Sequence, residues 1–306
     1  MPNHLSWWWK TPPNSRFFFK ISGLAIGFIL VAISTSLPEL AVSVLSSTSG
    51  NGSIAAGNVF GSNIANILLV LGLGAFLYGF KINRSELKDI TIVLVITTII
   101  SAYIIYAASV GGKALSFLEG VILLLTFGAY TYYILGKKII SHSEEKVSRS
   151  EALRAFLIFF AGVLTVLVSA GFVVESAVKI AQTFGLAESF IGATLVAIGT
   201  SLPELSIDLQ AIRKKQYGIA IGDAVGSNMM NLTLVLGTAA SINPISVQLP
   251  IFIITLLFAI VANIVLFYVA AVERKLTHRG GLAFLGIYAF YLIVIFFSQA
   301  SSVVGG

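Results

Sequence analysis

Two glutamates, Glu39 and Glu204, stand inside long apolar stretches, and each closes almost the same phrase: ISTSLPE at 33–39 and IGTSLPE at 198–204. An ionised carboxylate at such a depth is costly unless a partner or a bound cation offsets it. In a helix Thr35 shares a face with Glu39, and Thr200 with Glu204, because each pair stands four residues apart. Ser36 and Ser201 lie three positions before the same glutamates. Pro38 and Pro203 remove a backbone donor and strain the turn before them. That points to the carbonyls of Ala32 and Ala197 as loosened oxygens. A second stripe at spacing four follows in each half: Asn58, Ser62 and Asn66, then Asp223, Ser227 and Asn231, flanked by Asn63 and Asn228. Such Ser and Asn side chains also serve as ordinary interhelical glue, and two protonated glutamates would do the same. With only oxygen ligands and neither thiolate nor imidazole among them, the pattern favours hard cations over zinc or copper.

The elements that must hold these residues are membrane spans. Hydrophobic types make up 57% of the 306 residues and charged types 10%, against roughly 25% charged in an average soluble domain. That excludes a water-soluble enzyme. Apolar runs of about 18–25 residues are helix-spanning length, whereas a β-barrel would show short alternating segments. The chain is expected to be an all-α polytopic membrane protein in a lipid bilayer, with about nine transmembrane helices. The spans fall near 21–45, 54–80, 90–109, 115–136, 153–174, 188–211, 217–242, 248–272 and 281–299. The formal charge of +6 is not a nucleic-acid footprint. With the N-terminus in the cytoplasm, 17 of the 19 basic residues lie inside, and only Lys113 and Lys179 fall outside. The C-terminus is then outside. No cysteine is present, and His4, His142 and His278 all lie in polar segments, so thiolate and histidine metal sites are not expected.

The chain repeats itself at an offset of 165, with 23 identities in 47 positions when 26–72 is laid on 191–237. Shared Pro, Glu, Thr, Ser, Gly and Asn at fixed spacing exceed what two apolar helices share by composition. Five spans separate equivalent helices, an odd number, so the copies run in opposite directions through the membrane. Inverted-topology repeats are typical of secondary transporters, which place substrate near the midplane between the repeats. Two carboxylates with many neutral oxygens suit a divalent ion taking six to eight ligands, and carbonyl-plus-hydroxyl subsets suit sodium. Two ions competing for the same carboxylates is the physical basis of antiport.

The phrases STSLPE…GNVFGSNIAN and GTSLPE…GDAVGSNMMN resemble the α-repeats of the calcium/cation antiporter superfamily, specifically prokaryotic sodium/calcium exchangers. The resemblance covers essentially the whole chain. It implies ten helices in two inverted five-helix repeats and exchange of calcium for sodium by alternating access across the cytoplasmic membrane of a prokaryote. By motif match the ion ligands fall on Thr35, Ser36, Glu39, Ser62, Asn66, Thr200, Ser201, Glu204, Ser227 and Asn231, with carbonyls at Ala32 and Ala197. No cofactor is implied beyond the transported calcium and sodium, or protons. The proton-coupled branch usually carries Asn then Glu in its second motif element, a pattern absent here.

Against that resemblance the chain shows departures. Residues 21–136 hold four spans of the first repeat and 153–306 five of the second, with cytoplasmic segments at 1–20 and 137–152. The architecture is therefore expected to be the family's ten-helix fold lacking its first helix. Ser34 stands where the motif usually has Gly. Asn66 and Asn231 are both neutral, which leaves two carboxylates for the central site. Asp208, whose equivalent in the first copy is Ser43, is expected at a solvated helix end. The leading expectation is a monomeric calcium/sodium antiporter and no enzyme. The alternatives are a calcium/proton antiporter through the same glutamates, or a non-transporting membrane protein that binds cations.

Overall fold

The computed structural model describes residues 31–111, 115–135, 149–245 and 249–304. In chain order the helices are α1 (Ile33–Thr35), α2 (Leu37–Thr48), α3 (Gly52–Tyr78), α4 (Arg84–Gly111), α5 (Phe117–Leu135), α6 (Arg149–Phe184), α7 (Glu188–Thr200), α8 (Leu202–Arg213), α9 (Tyr217–Ile242), α10 (Leu249–Glu273) and α11 (His278–Val304). Among the described residues six helices, α3, α4, α5, α9, α10 and α11, are long and apolar enough to cross a membrane. The bent pair α7–α8 makes a seventh when it is counted as one broken span. The expected span 153–174 lies within α6, while the span at 21–45 begins outside the described residues and continues as α1 and α2. Residues 1–20 and most of 137–152 also lie outside them.

The two breaks have one local cause. Proline cannot donate a backbone hydrogen bond, and its ring crowds the carbonyl four residues earlier. The helix therefore stops before Leu-Pro-Glu and restarts with proline in its first turn. Ser36 (φ −80°, ψ 6°) and Ser201 (φ −83°, ψ 6°) take up the same bend, and α7 and α8 meet at 45°. Both glutamates consequently sit in the first turn of a new helix, where the positive end of the helix dipole favours a carboxylate.

Position in the fold decides burial. The spanning stretches of α3 and α9 are 83% and 89% buried, against 22% to 44% for α4, α5, α10 and α11. The motif helices thus form the centre and the others the outer wall. Ile99, Leu125, Ile264 and Phe297 are among the large apolar side chains exposed on that wall, as a lipid-facing surface requires. The inverted relation between the halves is visible in the packing. The last turns of α3 lie on α11, those of α9 lie on α5, and α4 lies on α10. Short backbone pairings repeat the pattern: β1 (Phe80–Lys81) pairs antiparallel with β2 (Lys275–Leu276), while Leu115 bridges Ile245. Each links the segment after one repeat's motif helix to the other repeat.

Helices α3 and α7 cross at backbone contact because glycine lines the crossing. A Cβ on Gly57 would stand 2.5 Å from the Ser189 carbonyl oxygen, and one on Gly61 2.5 Å from the Ala193 carbonyl oxygen. A Cβ on Gly192 would meet the Ile54 carbonyl oxygen at the same distance. This approach brings Ser62 to the α7 backbone. Just beyond it, residues 192–196 form a π-helical turn whose Ala193 carbonyl accepts a 2.9 Å hydrogen bond from the Tyr291 hydroxyl of α11.

Gly61→Ala is expected to push α3 off α7, at a cost of about 1–3 kcal/mol from overpacking. Thermal unfolding of detergent-solubilised protein checks this. Gly128→Ala, where nothing lies within 4 Å of the added methyl, is expected to leave the melting temperature unchanged or slightly raised.

Candidate functional site

All twelve side chains or carbonyl-bearing residues singled out from the motifs are buried, and Glu39, Ser62, Asn66, Glu204, Ser227 and Asn231 are wholly so. The structure brings both sets into one region where the repeats interlock. The Thr35 hydroxyl of the first repeat donates to Asp223 Oδ1 of the second (3.1 Å) and lies 3.5 Å from Ser227 Oγ. In mirror fashion the Thr200 hydroxyl donates to Asn58 Oδ1 (3.0 Å) and lies 3.4 Å from Ser62 Oγ. Each bend is therefore held by the amide-and-hydroxyl stripe of the opposite half.

The carboxylates follow the same crossing. Glu39 faces the Thr200 and Ser201 hydroxyls, Glu204 faces Thr35, and the two glutamates are close enough to sense one another's charge. A threonine hydroxyl has one hydrogen and two lone pairs. The Thr200 hydrogen has Asn58 Oδ1 (3.0 Å) and the Ala197 carbonyl (3.3 Å) within reach besides Glu39, and the Thr35 hydrogen has Asp223 Oδ1 and the Val31 carbonyl (both 3.1 Å) besides Glu204. Among the described residues all four glutamate oxygens, together with Ser36 Oγ, Ser201 Oγ, Asn66 Oδ1 and Asn231 Oδ1, are buried without a hydrogen-bond partner. No Lys, Arg or His is buried among those residues. Native structures rarely leave buried polar atoms unsatisfied, and each exception needs an explanation such as an ion. No group of three His, Cys, Asp or Glu side chains converges to hold a metal among the described residues. A cation between Glu39 and Glu204 would therefore take most of its ligands from neutral oxygens.

The free amide oxygens are aimed by a second network. Asn63 Nδ2 donates to the Asn228 carbonyl (3.3 Å) and Asn228 Nδ2 to the Asn63 carbonyl (3.0 Å). Asn66 Nδ2 then donates to Asn228 Oδ1 (3.3 Å), and Asn231 Nδ2 to Asn63 Oδ1 (3.1 Å). Residues 63 and 228 are thus the glue, and by holding the Asn66 and Asn231 amino groups they orient amides whose oxygens have no partner among the described residues. Asn66 and Asn231 both sit in π-helical turns, at 65–71 and 231–235, a wider winding that often marks functional positions.

Three expectations are corrected. The carbonyls of Ala32 and Ala197 are not freed by the prolines, since they accept the Ser36 and Ser201 amides at 3.0 and 3.1 Å. What each still offers is its second lone pair, and Ser62 Oγ lies 3.5 Å from the Ala197 oxygen. Asp208 is not at a solvated helix end: it is fully buried in mid-α8 and meets Asp223. The region accordingly holds four carboxylates and not two, with Asp208 and with Asp223, which is bonded to Thr35 and to Ser227 (3.3 Å). Its place in the spacing-four stripe was the available signal, as it was for Asn58.

Comparison with known proteins follows the same outline. The family described as sodium/calcium exchanger protein matches residues 15–136 and 154–297. An uncharacterized membrane protein of Methanocaldococcus jannaschii is 32% identical over 272 residues, covering 88% of this chain and 86% of that protein. The sodium/calcium exchanger MaX1 of Methanosarcina acetivorans is 29% identical over 320 residues, covering 90% of each. Among solved structures, the sodium-calcium exchanger NCX_Mj soaked with sodium and strontium superposes with a TM-score of 0.69 at 30% identity, over 91% of this chain and 89% of that one.

Replacing Asn228 by Ala removes the acceptor that orients the Asn66 amide without removing any of the motif oxygens. Calcium binding measured by isotope dilution is expected to weaken about tenfold, equivalent to ~1.4 kcal/mol. The double variant Asn63→Ala/Asn228→Ala is expected to lose less than the product of the two single losses, because the pair acts as one network.

Proposed function

The chain belongs to the sodium/calcium exchanger protein family, and from that premise we propose that it expels calcium in exchange for entering sodium at the site between its inverted repeats. It is a cation antiporter of a prokaryotic membrane. The observation that carries the finer reading is the pair of buried glutamates, each facing the other repeat's hydroxyls, with no buried basic residue among the described residues to offset it. Sodium as the coupling ion is supported by the sodium/calcium exchange named for MaX1 and NCX_Mj.

Each residue has a stated role. Glu39 and Glu204 supply the charge. Thr35, Ser36, Thr200 and Ser201 supply hydroxyl lone pairs, and Ala32 and Ala197 supply carbonyls. Ser62, Asn66, Ser227 and Asn231 complete the shell. Calcium takes six to eight oxygens at about 2.3–2.6 Å and uses both carboxylates at once. Sodium ions take subsets of the same oxygens, so either cargo displaces the other. Because every ligand cluster is shared by both halves, rocking one repeat against the other opens the site to one side at a time. No substrate bond is made or broken, as befits a transporter and not an enzyme. The distribution of basic residues supports an N-terminus in the cytoplasm and a C-terminus outside, and a site assembled from one chain's two repeats supports a monomer.

Calcium-45 uptake into inside-out vesicles, with sodium and proton gradients imposed separately, tests this. Sodium-loaded vesicles are expected to accumulate calcium, and a proton gradient alone is not. Glu39→Ala and Glu204→Ala are each expected to abolish uptake, since leaving one partner of a buried charged set uncompensated costs about 3–5 kcal/mol, more than 100-fold in affinity. Uptake driven by protons alone assigns proton coupling, uptake driven by neither contradicts antiport, and sodium-driven uptake surviving both substitutions contradicts the site.

A further inference from the structure

The two repeats are not chemically equivalent beside the glutamates. In the first, Ser43 and Asn58 form a neutral pair: Asn58 Nδ2 donates to Ser43 Oγ (3.2 Å) and to the Glu39 carbonyl (3.4 Å). At the offset of 165 the same two places are Asp208 and Asp223. Both are fully buried and their carboxylates meet. A donor in one half has become an acceptor in the other, and its hydroxyl partner has become a second carboxylate. Asp223 Oδ1 takes hydrogen bonds from Thr35 and Ser227. Asp223 Oδ2 and both Asp208 oxygens have no hydrogen-bond partner among the described residues. The charged groups around the pair are Glu204 and, farther off, Glu39, and none is basic. Acceptors facing acceptors in a dry interior require a positive species between them.

We propose that Asp208 and Asp223 hold a monovalent cation of sodium's hardness, at a subsite of the second repeat beside the central ligands. Three unpartnered carboxylate oxygens fall short of the six to eight oxygens that calcium takes. All-oxygen coordination excludes softer ions. The subsite joins α8 to α9 and reaches the first repeat through Thr35. Its existence is independent of the sodium-driven reading; its consequence, an added coupling ion on one side of the pseudo-symmetric site, rests on that reading.

Sodium-22 equilibrium binding to the purified full-length chain in lipid nanodiscs, read as ions bound per chain at saturation, tests the proposal. Asp208→Ser, which restores the first repeat's residue at this place, is expected to bind one sodium fewer than the parent. Its sodium Hill coefficient is expected to fall with it. Asp208→Asn keeps the side-chain volume and is expected to show the same loss if the serine variant does not fold. An unchanged sodium count in the folded variant overturns the proposal and leaves a shared proton between the two carboxylates. Because binding is read without transport, a failure here is separate from a failure of sodium-driven calcium uptake.

Discussion

The structure depends on one constraint: carboxylates buried in an apolar interior with no buried basic residue among the described residues to neutralise them. Such a group loses several kcal/mol of hydration, and three local devices offset part of that. The Ser-Leu-Pro break starts a new helix directly under each glutamate, so that the carboxylate meets the positive end of its dipole. The preceding short helix ends against the same point and offers its carbonyls to a cation. The opposite repeat then supplies hydroxyls that face each carboxylate. None of these neutralises the charge. They leave a buried acidic site for which the proposed cation is the missing partner, and in that reading binding and fold stability become linked.

The rest of the architecture serves that site. Glycines at 57, 61 and 192 let α3 and α7 approach to backbone contact, and only at that range can Ser62 reach the Ala197 carbonyl and Thr200. The reciprocal Asn63–Asn228 clasp lies where the repeats meet their own images, and it fixes the direction of two more amides. Farther out, Asn263 of α10 donates to Thr97 and Thr98 of α4; residue 98 is its own counterpart at the offset of 165, so the outer wall meets its image as well. Inversion is what makes this possible in one chain, because each half supplies what the other lacks.

Much of this was legible in the residues. The offset repeat, the inversion and the gathering of the motif oxygens all follow from spacing and span parity. What spacing could not give was the partner of each group across the interface. Asp208 has helical spacing from Glu204 and stands near three basic residues, which reads as a wet helix end; only the packing of α8 on α9 reveals its burial. Asp223 lay in the recognised stripe, but its contact with Thr35 joins positions 188 residues apart. The proline argument identified the right turn and overestimated its effect, because the break is absorbed at the serine and the Ala32 and Ala197 carbonyls keep their amide partners.

The central claim is that Glu39 and Glu204, one from each repeat, share a single divalent cation. Anomalous diffraction from crystals grown with calcium tests it most directly. The account predicts one calcium peak within about 2.3–2.6 Å of a carboxylate oxygen from each glutamate. A calcium peak touching only one repeat, or lying away from both glutamates, would contradict it.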